Sequence, residues 1–360
     1  MNHALDVLRR AERKSRLLPA AQPRTFRVRG WEAVDATVDP QAPWITGIPA
    51  DASRPVPAGP SRLVEAKTAA SMVRLSKFSR NDEVRVRSFY PHTDPPLSMK
   101  LIIGDRDRQD PVLMDVAART ALGRTGHFPV PPLLASGSHP RFAYLVEPVV
   151  FGTHPATRAE KLEVAHTILP AFLAAHRGAG VTDRTLELNA ETMPRLERLL
   201  AHVPWWRRRW PSVAKVSAAI EEVLHADLTL PNGWCHGDLV FSNIIVDTGG
   251  APTVIDWEHA GHDLLTADLV KLFVAAFEPL ELTERLETIA TPDDLGERAG
   301  RHSVRHQLAI ACLRDLSWWE GKLERAALAG RQRNFELSIA RRVDFAIQLL
   351  DPGRRTLPPN

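Results

Sequence analysis

The stretch His236-Gly237-Asp238-Leu239-Val240-Phe241-Ser242-Asn243, followed by Ile255-Asp256-Trp257-Glu258, decides the interpretation of this chain. Between the two motifs lie an apolar run, a Gly249–Gly250 turn and a second apolar run, and this pattern predicts a β-hairpin. The predicted hairpin carries a carboxylate and a carboxamide at one end and another carboxylate at the other. In phosphoryl transfer one Asp accepts a hydroxyl proton, while an Asn and a second Asp hold Mg²⁺. The stretch therefore indicates phosphoryl-transfer chemistry.

The composition is that of an ordinary soluble globular protein. Of the 360 residues, 44% are hydrophobic and 25% are charged, which suits one large domain or two lobes. The two cysteines, Cys235 and Cys312, have no metal-ligand spacing, and their scarcity predicts a reducing, cytoplasmic location. We expect Cys235 to be a small buried residue. No apolar stretch approaches the ~18 residues of a membrane span, and we expect no signal peptide.

Positive charge is concentrated in the first hundred residues, which contain 17 Lys and Arg against 10 Asp and Glu. A basic segment can contact an anionic partner or nucleotide phosphates, and it can equally be a solvated arginine-rich surface. Because no nucleic-acid recognition motif accompanies it, we expect no nucleic-acid partner. We also expect no membrane partner, and either a monomer or a homodimer.

The sequence pattern divides the chain into three segments. Residues 1–66 form an N-terminal extension, with a helix over Met1–Leu18, a strand over Thr25–Val28 and a proline-rich segment over Val38–Pro60. Residues 67–152 form a β-rich N-lobe, and residues 153–360 form a helical C-lobe that contains the phosphoryl-transfer motifs.

The N-lobe pattern predicts a mainly antiparallel sheet with one helix, in the order β-β-β-α-β-β. The predicted strands are Met72–Ser76, Glu83–Phe89, Leu97–Ile103, Leu133–Ala135 and Ala143–Glu147. Asp110-Pro111 predicts a helix start, with an N-cap residue before a first-turn proline. This helix is expected to reach about Leu122 with Leu113, Ala117 and Ala121 facing inward, and Asp115 on a different face.

Lys100 interrupts the apolar strand Leu97–Ile103. In a strand its side chain points to the face opposite Met99 and Leu101. Two interpretations are open: an edge-strand lysine that faces water, or a lysine that binds phosphate.

The C-lobe begins with a capping box, Thr157-x-x-Glu160, in front of a helix that runs to His176. Further helices are predicted over Ala190–Ala201, Val213–His225, His302–Lys322 and Arg333–Leu350. Two tryptophan-rich stretches have two interpretations each. Trp205–Trp210 is either a membrane or peptide docking patch or a helix end packed into the lobe. Trp318-Trp319 either lines an acceptor pocket or packs in the core.

The chain resembles the aminoglycoside phosphotransferase and choline kinase group of the protein-kinase-like superfamily. The resemblance is carried by His236-Gly237-Asp238 with Asn243 five residues after the aspartate, by Ile255-Asp256-Trp257-Glu258, and by Asp268-Leu269. Supporting pieces are Val130-Pro131, Glu147-Pro148-x-x-x-Gly152 and Ala174-Ala175-His176. The resemblance spans Ala70 to Leu350 and implies a bilobal α+β protein-kinase-like fold, with a β-rich N-lobe with one helix and a mainly helical C-lobe.

The resemblance implies roles for single residues. Asp238 is implied to be the catalytic base, and Asn243 and Asp256 the Mg²⁺ ligands. Lys100 is implied to pair with the nucleotide phosphates. Asp115 stands where the family usually has a glutamate that pairs with this lysine; because Asp is one methylene shorter, either the helix lies closer or the pair is looser.

The resemblance also implies a hinge and two supports for the catalytic loop. Glu147, Pro148 and Val149 belong to the implied hinge, whose backbone groups would hold the adenine. His236 is implied to brace the loop, and Asp268 to anchor it from a following helix.

The predicted loop over the phosphates contains no glycine, since none occurs between Lys67 and Met99. Glycine commonly lets backbone amides approach phosphates closely. The loop Lys77–Asp82 offers side chains instead, and Ser79 is the candidate nucleotide-binding residue within it.

The expected function is ATP- and Mg²⁺-dependent transfer of a γ-phosphoryl group to a hydroxyl of a small molecule. The acceptor could be an antibiotic, a sugar, a nucleoside or an amino alcohol, and another nucleoside triphosphate could replace ATP. One alternative is a kinase-like component that phosphorylates Ser or Thr of a peptide in natural-product maturation. A second alternative is a pseudokinase that acts as a binding module.

Overall fold

The structure, a computed structural model, describes the part of the chain that contains the motifs. The described residues are 97–103, 106–139, 142–185, 194, 195, 198, 229–317, 319 and 332–350, together with the backbone of the strands Thr25–Val28, Trp31–Ala36, Met72–Phe78 and Val84–Tyr90. Several predictions fall wholly or largely outside them: the helix over Met1–Leu18, the proline-rich segment, Ser79, the helices over Ala190–Ala201 and Val213–His225, and Trp205–Trp210.

The chain forms two compact units. Unit 1 comprises Met1–Gly123, Pro129–His154 and Asn243–Ala260, and unit 2 comprises Arg124–Phe128, Pro155–Ser242 and Gly261–Asn360. The hairpin that begins after Asn243 thus clusters with unit 1, although it follows Asp238 closely in the sequence.

Unit 1 is built on an antiparallel sheet, to which the described residues contribute seven strands in the order β1-β2-β3-β4-β5-β7-β6. The strands are β1 (Thr25–Val28), β2 (Trp31–Ala36), β3 (Met72–Phe78), β4 (Val84–Tyr90), β5 (Leu97–Ile103), β6 (Ala135–His139) and β7 (Phe142–Pro148). Strands β1 and β2 lie in the predicted extension, yet β2 pairs with β3 in the same sheet. The strand predicted around Leu133–Ala135 is present but displaced: β6 begins at Ala135, and just before it the Leu134 N–H already donates to the Val146 carbonyl at 2.9 Å.

Helix α1 (Arg106–Gly123) packs on β5 and β7, and its start and inward face differ from the prediction. It begins four residues before Asp110, so Pro111 lies inside the helix and removes one backbone hydrogen bond there. Leu113 is 42% exposed, so the predicted face is wrong. The buried residues of the helix are Val112, Asp115, Ala118, Arg119 and Leu122.

The predicted hairpin is present as β10 (Ile244–Val246) and β11 (Pro252–Val254), with Ile244 opposite Val254. Asp247 Oδ1 accepts the backbone N–H groups of Gly249 and Ala251, which closes the turn. The Ile255 N–H donates to the Asn243 carbonyl at 2.9 Å. Asn243 and Asp256 therefore lie at the same open end of the hairpin; the prediction of opposite ends is wrong, because antiparallel pairing brings the chain back.

A backbone bridge ties the hairpin to the end of the first segment. Thr153 and Val246 exchange two N–H···O=C bonds of 2.9 Å. At Gly152 the value of φ is +149°, and a Cβ there would lie 2.1 Å from the Val246 carbonyl oxygen. The glycine of the Glu147-Pro148-x-x-x-Gly152 motif is therefore required for the close approach of these two backbones.

Unit 2 is mainly helical. Its described helices are α2 (Arg158–Ala179), α3 (Leu265–Ala276), α4 (Pro279–Ile289), α5 (Val304–Ser317) and α6 (Gln332–Leu350). A three-stranded sheet of β8 (Thr182–Thr185), β9 (Thr229–Cys235) and β12 (Gly261–Leu264) has β9 in its centre. The capping box is confirmed: Thr157 Oγ1 accepts the Glu160 N–H, and Glu160 Oε2 accepts the Thr157 N–H.

The predicted fold class, α+β with a β-rich first lobe that contains one helix and a mainly helical second lobe, is confirmed for the described residues. None of the helices described is long and apolar enough to span a membrane.

Candidate active site

The loop His236–Asp238 follows β9 and is held by helix α3 of the same unit. Asp268, which is 1% exposed, accepts the His236 N–H at 2.6 Å and the Gly237 N–H at 2.9 Å. The Asp238 N–H donates to His236 Nδ1 at 3.2 Å, and Lys271 Nζ donates to the Gly237 carbonyl. The structure thus confirms the predicted contacts: Asp268 anchors the loop, and His236 braces it.

Two buried residues closely follow Asp238 on this loop. Leu239 is fully buried and Phe241 is 4% exposed, whereas Asp238 itself is partly exposed. The Val240 N–H donates to the Asp238 carbonyl at 2.9 Å, which tightens the turn. The loop therefore fixes the Asp238 backbone without removing the residue from solvent, as a residue that meets a substrate requires.

The Asp268 contacts lead to a stability prediction. Asp268→Ala leaves two buried N–H groups without their carboxylate acceptor, and hydrogen bonds to charged groups are worth about 1.5–3 kcal/mol each. We expect the free energy of unfolding to fall by about 3 kcal/mol in urea titrations followed by circular dichroism. Asp268→Asn keeps one acceptor oxygen and should lose less; equal losses in both variants would contradict the anchoring role.

Lys100 lies in the centre of the unit 1 sheet, between β4 and β7, and is 6% exposed. The interpretation as an edge-strand lysine facing water is therefore wrong. Its Nζ lies 3.1 Å from Asp256 Oδ1, 3.6 Å from Glu258 Oε2 and 3.6 Å from Asp115 Oδ2. Of the two alternatives for Asp115, a closer helix or a looser pair, the structure shows the looser pair, since 3.6 Å exceeds hydrogen-bond length. Three carboxylates thus share one lysine.

Strand register explains which groups meet helix α1. Lys100 is paired with Leu145, and Ser98 with Glu147, so Lys100 and Glu147 point to the same face of the sheet. On that face Val112 of α1 packs against Ile102 and Leu145. One turn further along the helix lies Asp115, and a second turn brings Arg119.

Arg119 joins the helix to β7 and to the connection between them. Its Nη1 lies 2.6 Å from Glu147 Oε2 and 3.3 Å from Asp115 Oδ1, and its Nη2 donates to the Pro131 carbonyl at 2.6 Å. Sequence reasoning missed this residue. The available signal was the four-residue spacing of Asp115 and Arg119, which places both on one helix face.

Cations and carboxylates of unit 1 meet in a network around Lys100. Two cations, Lys100 and Arg119, contact the four carboxylates Asp115, Glu147, Asp256 and Glu258. Burial raises the pKa of Asp115 above its ordinary value, Lys100 and Arg119 lower it, and Glu147 adds to the rise. The side chains of Asp256 and Glu258 are 38% and 16% exposed, so these two carboxylates form the accessible side of the network.

Asp256 has a left-handed backbone, with φ of +65°. Aspartate adopts this region more readily than most residues, although at some cost in energy. The next residue, Trp257, is fully buried, and its Nε1–H donates to the Val254 carbonyl at 3.0 Å. The strained turn is therefore held in place by the anchored tryptophan, and strain of this kind is concentrated at functional sites.

The described residues contain no group of three or more His, Cys, Asp or Glu side chains that could hold a metal ion, so a magnesium site here would have two protein ligands. Asn243 and Asp256 offer the hard oxygen atoms that Mg²⁺ prefers, and the hairpin brings them to one end. Glu258, two residues further along the chain, lies 3.6 Å from Lys100 Nζ.

The structure also describes the residues of the implied hinge, Cys235 and Trp319. Glu147 and Pro148 end β7 and Val149 follows it, but the Glu147 carboxylate is bound by Arg119, so only its backbone can serve the implied hinge. Cys235 is buried as expected, and its Sγ donates to the Leu264 carbonyl. Trp319 is 8% exposed and carries Arg342 over its ring at 4.3 Å, which favours core packing.

The class of this protein, a phosphotransferase with an alcohol group as acceptor, follows from its match to a family model. A model of the phosphotransferase enzyme family, designated APH, matches residues 105–306. The match covers more than half of the chain, and the chain belongs to this family, as the resemblance predicted. A comparison with curated proteins found no match.

Several solved structures are similar to this chain. A thermostable mutant of aminoglycoside phosphotransferase APH(4)-Ia is 15% identical, over 82% of this chain and 99% of that chain, with a TM-score of 0.44. Choline kinase LicA from Streptococcus pneumoniae is 16% identical over 74% and 90%, with a TM-score of 0.45. Aminoglycoside-3'-phosphotransferase of type VIII is 18% identical over 88% and 100%, with a TM-score of 0.39.

Proposed function

We propose that this protein transfers the γ-phosphoryl group of ATP, or of another nucleoside triphosphate, to a hydroxyl of a small molecule in a Mg²⁺-dependent reaction. The observation that carries the proposal is the contact of Lys100 Nζ with Asp256 Oδ1 at 3.1 Å, with Glu258 at 3.6 Å. A cation suited to phosphate and carboxylates suited to a metal ion lie side by side, as transfer from a nucleotide requires.

Lys100 supplies the positive charge for the nucleotide phosphates. Because it is nearly buried and surrounded by carboxylates, its ammonium group is held in place before the nucleotide arrives. Such preorganisation lowers the entropic cost of binding. Asp115, which is 2% exposed, is the partner that remains on the helix side when Lys100 contacts phosphate oxygen atoms.

Asn243 and Asp256 would hold Mg²⁺, with Glu258 beside them. Bound there, Mg²⁺ would neutralise charge on the phosphate oxygen atoms and orient the γ-phosphoryl group. Two protein oxygen atoms suffice, because Mg²⁺ keeps water and phosphate oxygen atoms as its other ligands.

Asp238 accepts the proton of the attacking hydroxyl and aligns its oxygen. General-base catalysis of this kind contributes about 10²–10⁴-fold to a rate, and alignment of the reactants contributes further. The hydrogen bonds from the loop to Asp268 support this role, since they fix the backbone that carries the base.

The acceptor class follows from the family and not from a particular contact. An antibiotic, a sugar, a nucleoside and an amino alcohol each offer a suitable hydroxyl. Ser or Thr of a peptide is the alternative acceptor, and it would reveal itself by a peptide-dependent rate of ATP hydrolysis.

The proposal is tested by incubating the full-length protein with ATP, Mg²⁺ and pools of hydroxyl compounds, and by searching for a mass gain of one phosphate. A parallel thermal-shift measurement with ATP and Mg²⁺ separates an active kinase from a pseudokinase. We expect a shift that depends on Mg²⁺ and phosphorylation of at least one acceptor. No shift and no hydrolysis of ATP with any pool would contradict the proposal and support a binding module.

A further inference from the structure

We propose that Arg119 is a positioning residue: it holds Asp115 toward Lys100 and thereby sets how tightly this protein binds the phosphates of a nucleotide. The inference rests on the proposed function, because it assumes that Lys100 contacts those phosphates. It adds a residue to the site that the sequence motifs do not contain.

The guanidinium group of Arg119 connects helix α1 with strand β7. The Arg119 side chain is 2% exposed and lies between two carboxylates on different elements, Asp115 of α1 and Glu147 of β7. Its Nη2 also donates to the carbonyl of Pro131, in the connection after the helix. One rigid, planar group therefore fixes the rotation of α1 relative to the strand that is paired with the Lys100 strand.

Two carboxylates, those of Asp115 and Asp256, compete for the ammonium group of Lys100. Asp115 lies 3.6 Å from Lys100 Nζ, whereas Asp256 lies at 3.1 Å, so Asp115 is the weaker of these two contacts. Asp115 is also more deeply buried than Asp256, and a buried carboxylate needs compensating cations. Arg119 supplies the second cation, which together with Lys100 lowers the pKa of Asp115 against the rise that burial causes.

Packing alone does not explain an arginine at position 119. Its Nε is buried and has no hydrogen-bond partner among the described residues, which is uncommon for a buried polar atom. An apolar pair of similar volume often replaces a buried ion pair without loss of stability. An arginine whose Nε lacks a hydrogen-bond partner is therefore explained by its contact with Asp115 and not by packing.

The experiment compares the affinities of full-length variants for Mg·ATP and for adenosine by isothermal titration calorimetry. Arg119→Met retains the volume and removes the charge. We expect it to weaken Mg·ATP binding about tenfold, a typical coupling within one network of charges, and to leave adenosine binding within about twofold, because adenosine has no phosphates for Lys100. Arg124→Met, at an exposed position just after α1, is the matched control and should bind both ligands like the wild type.

A double-mutant cycle separates positioning from general damage. In a Lys100→Met background, Arg119→Met should cause no further loss of Mg·ATP affinity, because the lysine through which it acts is gone. Arg119→Lys retains the charge but cannot reach three acceptors with one ammonium group, and should be intermediate. If Arg119→Met does not fold, the double variant Arg119→Met/Glu147→Met removes the buried pair together and is tested in its place, with the same expected loss of Mg·ATP affinity.

Several results would overturn the inference. Equal weakening of ATP and adenosine binding would show a packing role, and additive losses with Lys100→Met would show that Arg119 does not act through the lysine. Wild-type affinity in Arg119→Met would overturn this inference alone. Failure of the wild-type protein to bind Mg·ATP would overturn the proposed function and the inference with it.

Discussion

Asp238→Asn is expected to lower the rate of phosphate transfer to an acceptor hydroxyl by about 10²–10⁴-fold, the usual contribution of a general base. The amide cannot accept the hydroxyl proton, but it has nearly the same size and can make similar hydrogen bonds. The loop should keep its shape, because Asp268 and His236 accept hydrogen bonds from its backbone N–H groups. Mg·ATP affinity should therefore change by less than about twofold, which is about 0.4 kcal/mol.

The measurement is kcat with a saturating acceptor, accompanied by the dissociation constant of Mg·ATP. Asp293→Asn makes the same chemical change at an exposed position of unit 2 and should leave both quantities unchanged. Full turnover by Asp238→Asn would refute its assignment as the base.

Asp256→Asn is expected to raise strongly the Mg²⁺ concentration that phosphate transfer requires. Loss of a partner outside the ligand shell of a metal typically costs 10–100-fold in affinity or activity, so loss of a ligand should cost about 100-fold or more. Asparagine tolerates the left-handed backbone of Asp256, so the turn should survive. The expected result is that far more Mg²⁺ is needed for half-maximal transfer, while the protein stays folded.

Asp256→Ala is the informative companion to this variant. It removes the same ligand but also places alanine at a φ of +65°, which should cost a further 1 kcal/mol or so in stability. The two variants should thus share the magnesium defect and differ in unfolding free energy. An unchanged magnesium requirement in both would show that Asp256 is not a metal ligand.

The sequence predicted local structure well where the pattern was simple. The strand Leu97–Ile103 was predicted residue for residue, because five apolar residues around Lys100 leave little room for another structure. The capping box at Thr157 was also correct, since it depends on neighbours in the chain alone.

Prediction failed where distant residues decide the outcome. The inward face of helix α1 was assigned from apolar spacing, but the sheet face beneath it carries Lys100 and Glu147. Asp115 and Arg119 therefore lie inside, and Leu113 lies outside. Hydrophobic periodicity cannot reveal a buried face made of paired charges, because each charge is buried only through its partner.

In the candidate site, too, local motifs were predicted from the sequence, whereas contacts between distant residues were not. The motifs around Asp238 and Asp256 named the catalytic and metal-binding candidates directly. Strand register brings Asp256 to the end of the hairpin at which Asn243 lies. The contact of Glu258 with Lys100 depends on the same register. A Gly-Gly turn signal marks where the chain reverses, but it does not specify which residues on either side of the turn pair with each other.

The central claim, that this protein is a phosphotransferase that uses Asp238 as its base, is tested most directly by transfer of label from γ-labelled ATP. Wild type and Asp238→Asn are incubated in parallel with Mg²⁺ and a pool of hydroxyl compounds, and the labelled products are separated. We expect label in an acceptor with the wild type, and only a trace with the variant. Equal labelling by both proteins, or no labelled acceptor with the wild type, would contradict the claim.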